Sequence, residues 1–192
     1  MTLQRTLALL AAATFAACSH PVAQPARAPA PVVVPAPPPP APVPFTTASA
    51  VVHDLASRQV GTINFTDTHS GLLISGDVSS MGLGVHGIHL HAVGRCEPPF
   101  ATAGGHFNPT DRAHGFKNAH GAHLGDLPNI YTPPAAHLRF EYLVPGLALE
   151  GPHGLLDADG ASIVIHAEGD DYMTDPAGNS GGRIACGVIV AR

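Results

Sequence analysis

Val85-His86-Gly87-Ile88-His89-Leu90-His91 is the stretch from which the rest of the chain is read. It alternates as a strand does: His86, Ile88 and Leu90 fall on one face, His89 and His91 on the other. Two imidazoles at i and i+2 stand about 7 Å apart at the backbone, so both can reach one metal ion without bending the chain. Outward from here the pattern stays short and alternating. Val60 to Phe65 and Leu72 to Val78 carry apolar residues at period two, and Thr66-Asp67-Thr68-His69-Ser70-Gly71 breaks them into a hairpin. Strands resume at Ala136 to Tyr142, at Ala161 to His166 and at Arg183 to Val190, with Leu156-Asp157-Ala158-Asp159-Gly160 as a turn before the second of these. No helical periodicity of useful length occurs. The expected class is all-β, a sandwich or flattened barrel.

Between these strands lies Ala92 to Asn129, rich in Gly, Pro, His and Asn, with no convincing element of its own. Irregular loops of that length are uncommon in a compact domain unless they are functional or cross-linked. This one brings His106, His114, His123 and Asp126 within some twenty residues, and His166 ends a buried-looking strand further on. The 13 His against 3 Cys suit imidazole metal chemistry better than a zinc finger or a dense disulfide scaffold. Six His with Asp126 exceed the needs of one mononuclear site and suit two. Three His and an Asp fit a closed tetrahedral zinc site. Copper(II) favours a tetragonal set of imidazole nitrogens. Seven ligands for eight positions require one shared imidazole, deprotonated at both nitrogens. A net charge of −5 with a single lysine, Lys117, excludes a basic nucleic-acid surface.

The first 44 residues are not fold. Arg5 and the apolar run Leu7 to Ala17 read as an export signal, too short for a ~30 Å membrane span. Residues 1–17 would be the signal. The run ends in Phe15-Ala16-Ala17-Cys18, which resembles a lipobox with Cys18 as the lipidated residue; ordinary cleavage near Ala11-Ala12-Ala13 is the other reading. Residues 18–44 are Ala, Pro and Val around Pro37-Pro38-Pro39-Pro40, an extended tether able to reach roughly 70–80 Å. Residues 45–192 would form the one globular domain. With Cys18 assigned to lipid, Cys96 and Cys186 remain as a pair that normally closes in an oxidising compartment.

Several motifs in order carry a resemblance over roughly residues 48–192. They are Gly87-Ile88-His89-Leu90-His91-Ala92-Val93-Gly94-Arg95-Cys96, Gly104-Gly105-His106-Phe107-Asn108-Pro109, His114-Gly115, His123-Leu124-Gly125-Asp126-Leu127-Pro128, Ile165-His166, and Gly178 to Gly187. Together they resemble the copper,zinc superoxide dismutases, and their form is closest to that of bacterial members. The resemblance implies an antiparallel Greek-key sandwich. It implies copper on His89, His91, His106 and His166, and zinc on His106, His114, His123 and Asp126, with His106 as the bridge. It further implies Asp170 as a carboxylate hydrogen-bonded to a copper His and a zinc His, Arg183 beside the open copper position, and a Cys96–Cys186 disulfide.

The activity so implied is dismutation of superoxide to dioxygen and hydrogen peroxide, with His106 passing a proton to the peroxide and Arg183 holding the anion. Localisation would be the bacterial cell envelope, in the periplasm, on a lipid anchor, where the enzyme would protect the envelope from superoxide. Bacterial members include monomers and dimers, and nothing in the sequence selects a homodimer. Two other readings use the same residues: a non-enzymatic copper chaperone on this fold, and an exported metal-buffering protein. The presence of all four copper-side His and of Arg183 weighs against the first, and Arg183, Asp170 and the ordered spacing weigh against the second. Lys117, Arg112 and Arg95 are candidates for steering superoxide, against the acidic run Glu168, Asp170, Asp171 and Asp175. Of the remaining His, His86 is read as core or surface, with a supporting role behind the copper ligands as the alternative, and His120 as solvated or structural, with competition for metal in the zinc loop as the alternative.

Overall fold

The clearest alternation in the chain, Gly71–Ser79, forms strand β3, whose buried and half-buried residues alternate without a break. Leu72, Ile74 and Val78 thereby face the core. The computed structural model describes residues 44–133 and 137–192; the signal, Cys18 and all but the last residue of the tether lie outside them, as does Ala136. Before β3 come β1 (Thr47–Asp54) and β2 (Gln59–Thr68). After it come β4 (Gly84–His86), β5 (Ile88–His91), β6 (Ile130–Thr132), β7 (His137–Val144), β8 (Ser162–His166), β9 (Arg183–Val188) and β10 (Val190–Ala191). A single 3-10 turn at Ala101–Ala103 is the only helical element among the described residues.

All strand pairs are antiparallel, in the order β5-β8-β9-β1-β2-β3-β7, with β10 beside β1. After β3 the chain crosses to the far end of the sheet for β5, returns for β7 beside β3, and crosses again for β8 beside β5. These long crossings are the Greek-key connections expected. β4 runs into β5 through Gly87 and pairs with β6, which leads into β7, so this two-stranded ribbon joins the two ends of the sheet into a flattened barrel.

Three expectations are corrected. The strand expected from Val85 to His91 breaks at Gly87 into β4 and β5, because Gly87 donates its N–H to Glu168 O outside the ladder. Apolar parity in β2 does not run at period two throughout: Val60 is buried, then Ile63 and Phe65. A bulge where Val52 pairs with Gly61 and His53 with Gln59 resets the parity. The strand expected to run on from Arg183 to Val190 ends at Val188, and Ile189 turns inward before β10.

β8 is buried along its whole length. Ile163 and Ile165 join the main core, while Val164 lies in a small second cluster with Phe100, Ala103 and Cys186. That second cluster is the underside of the loop after β5. Cys96 and Cys186 are bonded across it, with Cα atoms 5.6 Å apart.

Candidate metal centre

The free edge of β5 assembles the site by ordinary strand pairing. Leu90 N–H donates to Gly125 O, Phe107 N–H to Leu90 O, Gly125 N–H to Phe107 O and Ala92 N–H to Gly105 O. His91 is thereby set opposite His106 and His89 opposite Asp126. The long loop is therefore not irregular where it matters: two short pieces of it complete the sheet. Gly125 sits where these backbones converge. A Cβ there would lie 2.5 Å from Leu90 O and 2.9 Å from Phe107 N, so only glycine fits.

Two clusters result. His89, His91, His106 and His166 bring one ring nitrogen each to within 4.8 Å of one another, all buried. In each ring the other nitrogen is already engaged. His89 Nε2 donates to Asp170 Oδ2 at 2.8 Å and His91 Nδ1 to Gly104 O at 3.0 Å. His106 Nδ1 lies 3.0 Å from Asp126 Oδ1, and His166 Nδ1 reaches Gly181 O at 3.4 Å. What remains is His89 Nδ1, His91 Nε2, His106 Nε2 and His166 Nε2, four buried nitrogens with no hydrogen-bond partner. Orphaned polar atoms of this kind are costly in a protein interior. Four of them facing one another fit a nitrogen-ligated metal, with each tautomer set by the bond at the opposite ring atom.

The second cluster is His106, His114, His123 and Asp126. Asp126 Oδ1 lies 3.0 Å from His106 Nδ1, 3.0 Å from His114 Nδ1 and 3.2 Å from His123 Nδ1, and the His106 and His123 Nδ1 atoms are 3.3 Å apart. A tetrahedral zinc site with bonds of about 2.05 Å has edges of about 3.3 Å, so this set fits zinc. Asp126 Oδ2 is held by the N–H groups of Gly115 and His123. His106 is the one ring with a nitrogen in each cluster. The sequence-predicted ligands are all brought together in the grouping expected.

Burial governs the charge state of His89, His91 and His166. It pulls His89 down to about 4, His91 to about 2 and His166 to about 3, so these rings stand neutral and ready to ligate. His114 behaves oppositely: burial works against its charge, but bonds to Asp126 and then Asp170 outweigh it and raise it to about 9. Burial likewise opposes the charge on Asp126 and Asp170, and their histidine partners hold both carboxylates well below the ordinary range.

Asp170 spans the two clusters, with Oδ2 on His89 Nε2 and Oδ1 accepting from His114 Nε2 at 3.0 Å. Gly178, at φ 63°, packs against this bridge: a Cβ would collide with Asp170 Oδ1 and lie 2.6 Å from His114 Nε2. Gly178→Ala is expected to push the carboxylate off His114 and weaken zinc retention about tenfold, within the 10–100-fold range for changes behind a ligand. Chelator competition on the zinc-loaded chain checks it, and unchanged retention would refute it.

Arg183, the first residue of β9, donates to Phe100 O and Gly104 O, both at 2.6 Å. It lines a cleft of about 440 Å³ with His106, His123, His166, Asn108 and Pro176. No other cation among the described residues lines it. Lys117 turns instead to Asp171 O and the Tyr172 ring, and Arg112 to Gly121 O, while Arg95 borders a separate hollow with Asp159. Three members of the acidic run are engaged: Asp171 accepts from Met173, Thr174 and Asn179 in its own loop, Asp175 from His114 N–H, and Asp170 from His89 and His114.

His86 is buried, as a core histidine is, and its Nδ1 also donates to His166 O at 2.9 Å, which ties it to the strand that carries His166. His120 is exposed and belongs to neither cluster. Sequence reasoning missed Asn129, whose side chain holds the backbone of Asp170 at both ends.

The family model described as copper/zinc superoxide dismutase (SODC) matches residues 59–189. The chain belongs to that family. It is 41% identical over 135 residues to superoxide dismutase [Cu-Zn] 1 of Aquifex aeolicus, covering 68% of this chain and 80% of that one. It is 39% identical over 158 residues to superoxide dismutase [Cu-Zn] of Deinococcus radiodurans, covering 76% and 85%. Among solved structures, a SOD-like protein from Bacillus subtilis superposes with a TM-score of 0.71 at 35% identity, covering 74% of this chain and 97% of that one. The dismutase family uses copper and zinc, as the two clusters of this dismutase suggest by their chemistry.

Proposed function

We propose that this superoxide dismutase holds copper on His89, His91, His106 and His166 and zinc on His106, His114, His123 and Asp126. The observation that carries the reading is the set of four buried, unpartnered imidazole nitrogens beside a cleft lined by Arg183. The reaction is 2 O2•− + 2 H+ giving O2 and H2O2. Copper when bound supplies the one-electron couple, and zinc a fixed positive charge beside it.

The chain's own residues do the rest. Arg183 is held flat by two carbonyls, leaving its remaining N–H donors for a small anion in the cleft. His106 Nε2 faces the same cluster, where it can take up a proton and release it to the peroxide. Asp170 and Gly104 O hold the His89 and His91 rings so that their free nitrogens point inward. Chaperoning or buffering of copper requires neither a guanidinium nor a shared imidazole at this position, and neither is favoured.

Around this core we place residues 1–17 as an export signal and 18–44 as a lipidated Cys18 with its tether, setting domain 45–192 in the periplasm to protect the envelope. The Cys96–Cys186 bond supports an oxidising compartment. A homodimer has no supporting observation.

Dismutation by the purified chain reconstituted with copper and zinc tests the reading. Rapid turnover supports it; stoichiometric metal without turnover sinks it and leaves a copper carrier. Arg183→Ala is expected to keep both metals and lose about 10–100-fold in kcat/KM, the worth of a charge-assisted bond of about 1.5–3 kcal/mol. Arg183→Lys should fall between the two, since it restores charge without the fork.

A further inference from the structure

Asn129 is the first residue after the zinc-loop motif, three positions beyond Asp126, and every polar atom it owns is engaged. Its side-chain Nδ2 donates to Asp170 O at 2.8 Å, and its Oδ1 accepts from Asp170 N–H at 2.8 Å. The carboxamide thus pairs with both backbone groups of one residue, as a strand neighbour would. Only one amide orientation serves, because an N–H must meet the carbonyl and an oxygen must meet the N–H. Asn129 N–H donates to Tyr172 Oη at 2.6 Å, and Asn129 O accepts from Tyr142 Oη at 3.2 Å. Tyr172 closes the ring of contacts: its own N–H donates to Asp170 Oδ1 at 2.7 Å.

Asp170 lies in a loop of about sixteen residues between β8 and β9, with no strand partner of its own. Its carboxylate must nonetheless meet His89 and His114 at once. A side chain with two rotatable bonds can do so only if its backbone is fixed. We propose that Asn129 is the positioning residue of the His89–Asp170–His114 bridge, holding Asp170 by its peptide groups so that the carboxylate stays on both rings and the zinc site stays closed. The inference rests on the reading of Asp170 as the link between the copper-side and zinc-side histidines.

The side-chain hydrogen bonds of Asn129 go to the Asp170 backbone alone, which makes their effect separable from a general loss of packing. The test is a double-mutant cycle on the zinc-loaded chain, with zinc loss to excess chelator as the readout. Asp170→Ala alone should speed the loss about 10–100-fold, and Asn129→Ala about tenfold. In the Asp170→Ala background, Asn129→Ala should add less than about twofold, since the carboxylate it positions is gone even though the backbone it pairs with remains. Asn129→Asp keeps the volume and the acceptor but faces oxygen against Asp170 O; it should follow Asn129→Ala, and it carries the cycle if the alanine variant does not fold.

A second readout separates positioning from stability. The Nε2–H protons of His89 and His114 are donated to Asp170, and in the zinc-loaded form their solvent exchange reports that bridge. Exchange should quicken in the Asn129 variants and stay unchanged in Ile63→Val, a core substitution in β2. A tenfold Asn129 effect that persists in the Asp170→Ala background overturns the proposal, as does unchanged zinc loss in a folded Asn129 variant. Unchanged zinc loss in Asp170→Ala overturns the bridge itself instead.

Discussion

His106→Ala is expected to lower superoxide dismutation at least about 100-fold while leaving the chain folded and able to take up both metals. No other ring belongs to both clusters: Nδ1 lies 3.0 Å from Asp126 Oδ1, and Nε2 is one of the four orphaned nitrogens. Alanine removes one donor from each set but leaves three, His89, His91 and His166 on one side and His114, His123 and Asp126 on the other. Water can fill a vacated coordination position. It cannot restore a rigid ring that joins the two sites and handles a proton at Nε2, and positioned proton transfer alone is worth about 10²–10⁴-fold. Metal content by elemental analysis, measured beside the rate, separates the two losses. His120→Ala, in the same loop but exposed and in neither cluster, should match the parent chain. A His106→Ala protein with both metals and a rate within about threefold of the parent would end the shared-ligand reading.

The candidate ligands were legible because strand parity and loop composition are local signals, whereas their division into two groups came from the family resemblance. His89 and His91 share a face by alternation alone, and the His-rich loop had to be held by something. Asp170 and Arg183 became visible only through family resemblance, since neither stands in a periodic pattern. Asn129 was not visible at all: its role depends on pairing with the backbone of a residue 41 positions away, and backbone pairing leaves no trace in side-chain type. β1 was missed for a different reason. Ala48, Ser49 and Ala50 are buried beside β2, with β10 along the other edge of Ala48 and Ser49, and such small side chains carry little hydrophobic signal. β6 is three residues long, too short for any period to register. The bulge in β2, with Val60 the extra residue opposite Val52 and His53, is likewise defined only once the partner strand is in place. Which cations face the cleft was undecided in the sequence because Lys117 and Arg112 are captured by neighbours that only folding supplies, and Arg95 borders a different hollow.

Breaking the Cys96–Cys186 bond is expected to destabilise the metal-free domain by up to about 4–5 kcal/mol, the chain-entropy figure for a closed loop of this length, and by 2 kcal/mol or more in practice. The bond spans 90 positions of sequence. For a domain of this size that corresponds to a fall in Tm of several degrees to about 15 °C. The second consequence is functional. Phe100 O and Gly104 O, the two acceptors that hold Arg183, lie in the segment just after Cys96, and Cys186 stands three residues beyond Arg183. Phe100 and Ala103 belong to the small cluster with Val164 and Cys186, Cys96 alongside, and not to the main core, so without the bond that segment has less apolar burial to keep it in place. Gly104 O also accepts from His91 Nδ1, so displacement would reach the copper-side ligands as well. Cys96→Ser/Cys186→Ser should therefore lose activity out of proportion to its fraction unfolded, and the loss should appear first in kcat/KM, as for Arg183→Ala. Thermal unfolding of the metal-free pair of proteins and dismutation at a temperature where both are folded check the two effects separately. Equal Tm values would refute the stability estimate. Equal kcat/KM in the folded, metal-loaded proteins would show that the loop is held to Arg183 without the disulfide.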